Sequence, residues 1–412
     1  IVRGAIMQRF WTTICCCVLL LCFYPGVALA ASQPQTLAKA ALLMDARNGQ
    51  VLYQKSATLP MYPASTTKIL TAIIALEHSR LDDVVTVPRE ATLVEGSSIG
   101  LQEGERLTME DLLYALLLSS ANDAAVAIAD HVAGSVPAFA ALMNQKARSI
   151  GARASNFQNP SGLPDPRHYT TAYDMALITR YAMQNPTFRA IVSTRFKQIH
   201  RPDADRSKGP PQEHLWNHNR LLSRYEGAIG VKTGYTVEAG QCLVAAAQRD
   251  GRELIAVVLN SQGSAVYSDV QALLDYGFSA FQTAELVKSG EVVASFSLPG
   301  GAGEVKAVAG NSFYFDFPVG GRLSFEREVV MYRNLRVPIT AGQKVGELIL
   351  TRPGGEELGR VELVSAGSVG AGVTRRWSTW ILGMFVFLVS LRLRALMVRR
   401  RRWQRRYPPY LR

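Results

Sequence analysis

Two apolar segments, one near each end of the chain, limit what the sequence between them can fold into. Near the start, Arg9 precedes an apolar run over residues 14–24, Pro25 and Gly26 interrupt it, and small alanines follow. This order of a basic residue, an apolar core and small residues is typical of a secretory signal peptide. We therefore predict a signal peptide over residues 1–30, cleaved after Ala30, with an uncleaved anchor as the alternative.

The second apolar segment runs from Trp377 to Leu391 and reaches Val398 if two intervening arginines extend towards the lipid headgroups. A helix over this longer range spans about 33 Å, enough to cross a hydrocarbon core of about 30 Å. Nine arginines follow Leu391, so the positive-inside rule places the C-terminus in the cytoplasm and the body outside. A helix lying in the membrane plane is the alternative. We predict a linker over 367–376, a transmembrane anchor over 377–398 and a basic cytoplasmic tail over 399–412.

The excess positive charge of the chain lies at these same two ends. Of the 45 basic residues, eleven are arginines beyond residue 372 and two lie within residues 1–31, and neither stretch contains an acid. The remaining 32 basic residues accompany 33 acidic ones, so the body is almost neutral. Nucleic-acid binding requires a basic surface, and we predict no nucleic-acid partner. Four of the five cysteines lie in the predicted signal peptide, which leaves Cys242 and no internal disulfide.

The body begins as an α+β domain, predicted over residues 31–284. A hairpin over 40–55 precedes a segment over 66–77 that is apolar nearly all round, as in a buried central helix. The order of strands, many helices and strands again predicts an antiparallel sheet packed with helices. Further helices are predicted over 109–118, 122–132, 136–148, 171–184 and 265–280, and strands over 241–248 and 253–260.

The pattern changes at about Ala284, where short apolar runs begin to alternate with glycine-rich turns. Such runs are typical of small all-β modules. We predict a small β-sandwich domain over residues 285–366. Its strongest strand signals lie at 292–296, 329–332, 347–350 and 360–363.

Ser65 and Lys68 form the first of three short motifs that point to chemistry. Their spacing of three places both side chains on one helical face. Burial and nearby positive charge would lower the pKa of the lysine and suit it as a general base for the serine. The motif alone is common, and a capping serine beside a solvated lysine explains it equally well.

The second motif is Ser120-Ala121-Asn122, between two predicted helices. A hydroxyl and an amide at this spacing can pass a proton and hold a substrate amide. A residue that caps the following helix is the alternative, and for this motif alone it is the favoured one.

The third motif is Lys232-Thr233-Gly234, shortly before the predicted strand that starts at Gln241. The lysine offers a cation and the threonine a hydroxyl for a carboxylate, and the glycine lets a substrate backbone approach closely. The alternative is an ordinary turn.

Together and in this order, the three motifs resemble the Ser-x-x-Lys, Ser-x-Asn and Lys-Thr-Gly boxes of the penicillin-binding protein and serine β-lactamase fold. The chain is similar to the low-molecular-mass penicillin-binding proteins of the D-alanyl-D-alanine carboxypeptidase type over about 35–365. The resemblance implies a domain of that fold followed by a small all-β domain. Many relatives end in an amphipathic helix that lies on the membrane, whereas the apolar segment predicts a C-terminal transmembrane helix here. Further matching segments are 62–65, 157–163, 171–174, 217–222, 230–236 and 337–346.

The resemblance also implies an acyl-enzyme mechanism on peptidoglycan stem pentapeptides. Ser65 would attack the carbonyl between the last two D-alanines while Lys68 takes its proton. Ser120 and Asn122 would relay the proton to the leaving D-alanine and orient the substrate. β-Lactam antibiotics would be covalent inhibitors, and no cofactor or metal is implied.

The same resemblance assigns substrate-binding roles around the third motif. Lys232 and Thr233 would bind the terminal carboxylate of the substrate, beside Gly234. The oxyanion would be bound by the backbone N–H groups of Ser65 and Tyr235.

Several alternatives stay open. A class A β-lactamase shares all three motifs but needs a deacylating glutamate, and Glu213 and Glu226 do not lie in its pattern. An endopeptidase of the same family would use the same residues, and an inactive wall-binding protein would be expected to have lost them. His214 and His218 lack a third ligand for a metal. Oligomeric state and stem-peptide preference are not predicted.

Overall fold

The computed structural model describes residues 33–298, 304–369 and 374–406, which fall into two compact units. The first unit contains the described residues up to Ala284 together with Asp316–Gly321. The second contains Glu285–Phe315 and the residues from Arg322 onward. The predicted signal peptide lies outside the described residues, as do parts of the predicted linker and tail.

The first unit is built on antiparallel strands. Its strands are β1 (Ala40–Asp45), β2 (Val51–Lys55), β3 (Val84–Thr86), β4 (Arg106–Thr108), β5 (Phe196–Gln198), β6 (His214–Trp216), β7 (Ala228–Thr236), β8 (Gly240–Arg249) and β9 (Arg252–Ser261). Five of them form a sheet in the order β2-β1-β9-β8-β7, so β7 is an edge strand. Two short pairs, β3 with β4 and β5 with β6, lie apart from this sheet.

The helices of the first unit agree closely with the sequence predictions in the long segments. They are α1 (Lys68–His78), α2 (Arg89–Thr92), α3 (Met109–Leu118), α4 (Asn122–Ala133), α5 (Val136–Ile150), α6 (Ala172–Ala182), α7 (Pro186–Ser193), α8 (Leu221–Arg224) and α9 (Ala265–Ala280), with 3₁₀ turns at Ala64–Thr67 and Arg206–Lys208. The short helix α7, capped by the Asn185 side chain, was not predicted.

The sheet divides the apolar core into two layers. Side chains alternate along a strand, so Leu42 packs into one cluster and Leu43 into the other. Helices α1, α3, α4 and α6 contribute to the first cluster, and α9 contributes to the second. Every residue of α1 from Lys68 to Ala75 is buried, which confirms the prediction of a buried central helix.

Two local predictions need correction. The helix expected from Thr66 begins as an α-helix only at Lys68, because Ala64–Thr67 forms a 3₁₀ turn. The third motif does not lie in a turn before a strand, since Lys232, Thr233 and Gly234 are inside β7.

The remaining strands and the last helix follow. They are β10 (Phe281–Val287), β11 (Val292–Ser297), β12 (Glu304–Ala309), β13 (Phe313–Pro318), β14 (Glu326–Met331), β15 (Lys344–Thr351), β16 (Glu357–Ser365) and α10 (Thr374–Arg406). A β-sandwich was predicted for this part of the chain. The structure shows one five-stranded antiparallel sheet in the order β11-β12-β16-β15-β14, and β10 and β13 lie outside it. Within α10, the segment from Thr379 to Trp403 is long enough to cross a membrane, and an 18-residue window within it has a mean hydropathy of 2.1. This segment overlaps the anchor predicted over 377–398.

Candidate functional site

Ser65 lies in a tight turn at the entrance of the central helix. Ala64 has a φ of +47°, and Thr66 donates from both its backbone N–H and its hydroxyl to the carbonyl of Pro63. The α-helix then starts at Lys68, whose Nζ lies 2.9 Å from Ser65 Oγ. The predicted contact between these two side chains is therefore present. Ser65 belongs to a 3₁₀ turn and Lys68 is the first residue of the α-helix that follows it.

The surroundings of Lys68 fix the direction of its amine. The side chain is fully buried, and Nζ lies 2.7 Å from both Asn122 Oδ1 and the carbonyl oxygen of Ser161. Burial lowers the pKa of Lys68 well below its usual range, and the nearby positive charge of Lys232 lowers it further. A neutral amine has two hydrogens and one lone pair. Because two carbonyl-type oxygens can only accept, the lone pair is left for the hydroxyl hydrogen of Ser65.

Asn122 is held in one orientation by the loop that precedes it. Its Nδ2 donates to the carbonyl of Glu95 at 2.6 Å, so its Oδ1 faces Lys68. The N-cap of α4 is Ala121, with no side-chain capping bond. The capping alternative for the second motif is therefore not what the structure contains.

Ser120 connects the second motif to the third. It adopts a left-handed backbone conformation, with a φ of +61°, and its Oγ accepts a hydrogen bond from Lys232 Nζ at 3.1 Å. Lys232 is almost fully buried and also donates to the carbonyl of Thr233 at 3.0 Å. Burial lowers the pKa of Lys232 to about 7. The site thus holds two lysines whose pKa values are lowered mainly by burial.

Gly234 is required by the protein itself as well as by a substrate. A Cβ atom at this position would lie 3.0 Å from the backbone nitrogen of Ser65 and 3.1 Å from that of Thr66. Edge strand β7 therefore packs directly against the turn that carries Ser65. Close approach of a substrate, the reason that the sequence suggests for this glycine, is therefore not the only one. Packing of β7 against the turn that carries Ser65 also requires it.

These residues surround a cavity of about 710 Å³. Ser65, Ser120, Thr233, Gly234 and Tyr235 line it, whereas Lys68, Asn122 and Lys232 lie behind it and reach it through the two serines. The structure adds residues that sequence reasoning did not assign to the site. They include Ser97, Asn217, His218, Arg220 and Tyr267.

The segment over 157–163 also acquires a role. Asn159 Oδ1 accepts hydrogen bonds from the backbone N–H groups of Ser161, Gly162 and Leu163, which folds the segment into a turn that presents the Ser161 carbonyl to Lys68. Gly162 has a φ of +86°, and a Cβ there would lie only 1.8 Å from the carbonyl oxygen of Ala64. The sequence of this segment resembles the family, but it does not predict the contact with Lys68. Every residue has a backbone carbonyl oxygen, so residue type does not indicate which one is used.

His168 joins that same segment to the nucleophile turn. Its Nδ1 accepts from the backbone N–H of Gln158 at 3.2 Å, so its Nε2 carries the hydrogen and donates to Thr67 Oγ1 at 3.0 Å. Burial lowers the pKa of His168 to about 4. The neutral imidazole therefore acts as a structural link behind Ser65.

A serine paired with a buried lysine, and a second buried lysine on an edge strand, are the arrangement carried by the Ser-x-x-Lys and Lys-Thr-Gly boxes of the penicillin-binding protein fold. Residues 27–263 match the family model described as D-alanyl-D-alanine carboxypeptidase, and residues 281–371 match the C-terminal domain of penicillin-binding protein 5. The chain belongs to the D-alanyl-D-alanine carboxypeptidase family.

Individual relatives match over most of the chain. The carboxypeptidase DacF of Bacillus subtilis is 31% identical over 84% of this chain and 91% of its own length. DacC of Escherichia coli is 32% identical over 79% of this chain and 84% of its own. The crystal structure of penicillin-binding protein 5 from Haemophilus influenzae superposes with a TM-score of 0.71, with 27% identity over 82% of this chain and 99% of that one.

Proposed function

We propose that this protein is a serine D-alanyl-D-alanine carboxypeptidase that acts on peptidoglycan stem pentapeptides through an acyl-enzyme on Ser65. The observation that carries the proposal is the set of contacts of Lys68. With Asn122 Oδ1 and the Ser161 carbonyl as acceptors, the neutral amine directs its lone pair at Ser65 Oγ, 2.9 Å away. Family membership supports the substrate class.

In the acylation step, Lys68 takes the hydroxyl proton as Ser65 Oγ bonds to the carbonyl carbon of the penultimate D-alanine. The developing oxyanion is stabilised by the backbone N–H groups of Ser65 and Tyr235. The position of Gly234, beside the nitrogen of Ser65, supports this pairing of the edge strand with the nucleophile turn. The proton stays on Lys68 until the C–N bond breaks.

The leaving D-alanine needs that proton on its amine and a partner for its carboxylate. Ser120 Oγ, which accepts from Lys232 Nζ at 3.1 Å, donates its own hydroxyl proton to the amine and takes the proton held by Lys68 in its place, so that Lys68 becomes neutral again. Lys232 and Thr233 bind the carboxylate, since both lie on β7 beside Ser65. Water then hydrolyses the ester and frees Ser65.

The role of Asn122 is narrower than the family resemblance implies. Both polar atoms of its amide already have partners within the protein, the Lys68 amine and the Glu95 carbonyl. We therefore assign Asn122 to holding the Lys68 amine in place and not to relaying a proton.

The first test combines intact-mass spectrometry of the full chain in detergent with D-alanine release. Wild type, Ser65→Ala and the surface control Ser149→Ala are incubated with benzylpenicillin and, separately, with a pentapeptide. We expect a penicilloyl adduct and D-alanine from wild type and Ser149→Ala, and neither from Ser65→Ala.

Other outcomes favour the alternatives. Rapid penicillin turnover without an adduct would favour a β-lactamase, and folded wild type with neither adduct nor D-alanine would favour an inactive wall-binding protein. A cross-linked muropeptide dimer in the same series measures endopeptidase activity. The residues that line the described cavity include no carboxylate, which agrees with a long-lived adduct.

We further propose that the chain is exported and held in the cytoplasmic membrane by its C-terminal helix, with the catalytic unit outside. The apolar stretch Thr379–Trp403 supports the anchor, and arginines at its C-terminal end support a cytoplasmic tail. Carbonate extraction of membranes tests the first point, since a spanning helix stays in the pellet. Protease added to intact spheroplasts tests the second, since it should degrade the catalytic unit and spare the tail.

A further inference from the structure

We propose that Arg201 is a positioning residue for acylation. It braces the loop over residues 95–102, and through this loop it holds the Asn122 amide against Lys68. This inference rests on the proposed function, because it concerns the efficiency of acylation at Ser65.

Arg201 lies in the connection between β5 and β6, and its side chain is fully buried. Nε and Nη2 donate to the two carboxylate oxygens of Glu105 at 2.7 and 2.8 Å. The remaining donors reach the loop, where Nη1 lies 2.7 Å from the carbonyl oxygen of Ile99 and Nη2 lies 2.8 Å from that of Gly100. Only the planar fork of an arginine can bind a carboxylate and two backbone carbonyls in this way.

The opposite side of the same loop is bound to the start of α4. The Asp123 carboxylate accepts from the backbone N–H groups of Ile99 at 3.1 Å and Leu101 at 3.0 Å. Burial raises the pKa of this carboxyl, and the positive charge of Arg201 offsets part of that rise. The backbone at Ile99 is therefore held from both sides, with its N–H bound to Asp123 and its carbonyl bound to Arg201.

The loop in turn fixes Asn122. The carbonyl of Glu95 accepts from Asn122 Nδ2 at 2.6 Å, and the carbonyl of Ser97 accepts from its backbone N–H at 2.7 Å. If the loop moves, the amide loses the contact that turns Oδ1 towards Lys68. The amine of Lys68 then has one acceptor fewer, and its lone pair is no longer confined to the direction of Ser65 Oγ. Arg201 thus acts on the chemistry without contacting the substrate.

A purely structural role would leave a different signature. A buried ion pair often contributes little net stability compared with apolar side chains of the same size, whereas breaking it by removing one partner is costly. Loss of stability alone would therefore not distinguish the two roles. The distinguishing property is the dependence of the Arg201 effect on Asn122.

The test compares Arg201→Lys with Arg189→Lys in the full chain. Arg189 is a matched control because it also forms a two-pronged ion pair, with Glu253 at 2.9 and 2.6 Å. We expect the rate constant of penicillin acylation to fall about 10- to 100-fold in Arg201→Lys and to stay unchanged in the control, because small displacements of catalytic groups cost that much. For D-alanine release, kcat should fall while KM changes little, since Lys232 and Thr233 are untouched.

The decisive measurement places both substitutions in an Asn122→Ala background. If Arg201 acts through Asn122, Arg201→Lys causes little further loss of acylation there. Losses that simply multiply would overturn the proposal. If Arg201→Lys proves unfolded by circular dichroism, Glu105→Gln replaces it, with a smaller loss of the same non-additive kind.

Backbone hydrogen exchange supplies a readout that does not depend on activity. Exchange over residues 95–102 should become faster in Arg201→Lys and not in Arg189→Lys. Unchanged exchange would reject the brace even if acylation fell. A wild-type protein that forms no adduct would instead reject the proposed function, and the exchange measurement would still decide whether Arg201 braces the loop.

Discussion

The two units of the protein differ in whether they bury positively charged side chains. In the first unit, Lys68, Lys232 and Arg201 are all among the largest fully buried side chains. In the second unit, Ser365 is the only buried polar residue among those that the structure describes. The ion pairs of this unit lie on the surface, for example Lys344 with Glu362 and Arg360 with Glu357.

This difference marks the first unit as the one arranged for chemistry. Burial of a cation is unfavourable unless partners compensate for the lost water, and perturbed pKa values cluster where chemistry is done. Outside α10, whose apolar side chains are exposed, the second unit follows the ordinary rule of apolar side chains inside and charges outside. The same substitution should therefore have different consequences in the two units.

The largest effect is expected for Lys68→Met. Removal of the base should reduce the rate constant of penicillin acylation about 10³-fold, which is typical of a lost general base. Intact-mass spectrometry against time measures it. Lys344→Met is the matched change in the second unit and should acylate at the wild-type rate. Comparable losses in both variants would show that burial does not mark the functional lysine.

Glycine positions give the next largest effect. Gly162→Ala would place a Cβ 1.8 Å from the Ala64 carbonyl oxygen at a φ of +86°. We expect the free energy of unfolding to fall by about 3 kcal/mol, because a strained backbone and a backbone clash coincide. Backbone hydrogen exchange over α1, measured at increasing urea concentration, follows the first unit, and penicillin acylation should fall as well.

The control for this substitution is Gly342→Ala in the second unit. Gly342 has a similar φ of +80° but no atom within 4 Å of its Cβ position. The first unit should keep its urea midpoint in this variant. A midpoint of the first unit that is equally low in both variants would mean that the contact with Ala64 is not what lowers it.

The pH dependence of stability sharpens the comparison further. Lys232 has its pKa lowered by burial to about 7, and Lys68 is shifted in the same direction. An unfolded lysine titrates at about 10.4. Between these values the unfolded state binds more protons, so the free energy of unfolding rises with pH from about 7 to about 10.

Urea titrations near the two ends of this range measure the rise. It should be smaller in Lys232→Met, which lacks one of the two shifted groups. Lys344→Met should retain the full rise, because Glu362 raises the pKa of that exposed lysine instead of lowering it. An identical rise in wild type and Lys232→Met would show that the buried amine does not titrate in this window.

Local sequence patterns were sufficient for the central helix α1 and for the three motifs, but not for strand β7. The apolar segment after Ser65 predicts α1 because a helix buried on all sides needs no polar face. The three motifs identify Ser65, Lys68, Ser120 and Lys232, since residue type and spacing express their chemistry. Strand β7 was missed because Gly230 and Gly234 weaken a strand pattern, and here both glycines relieve close contacts with neighbouring elements.

Other parts of the site have no local signal. Ser161 contacts Lys68 through its backbone carbonyl, so the identity of its side chain does not indicate this role. Arg201 and Glu105 are 96 residues apart, and nothing in either neighbourhood indicates that they meet. Only the folded chain brings them together, which is why the brace behind Asn122 is visible in the structure and not in the sequence.

The smallest effect is expected for Arg360→Ala on the surface of the second unit. The side chain of Arg360 is 54% exposed, that of Arg189 is 32% exposed and that of Arg201 is fully buried, so these arginines form a graded series. Water and salt screen exposed ion pairs. We expect hydrogen exchange over β15 and β16 to be unchanged in Arg360→Ala, at low and at high salt.

Arg189→Ala should have an intermediate effect, a loss of about 1 kcal/mol in the unfolding free energy of the first unit, because its partly buried pair with Glu253 is two-pronged. The order of the three arginines is more informative than any one value. Suppose that Arg360→Ala strongly speeds hydrogen exchange over β15 and β16 at low salt and that this effect disappears at high salt. Surface ion pairs would then stabilise the second unit. The contrast between buried and surface charge would then no longer distinguish the two units. Both units would depend on ion pairs, buried in the first unit and exposed to water in the second.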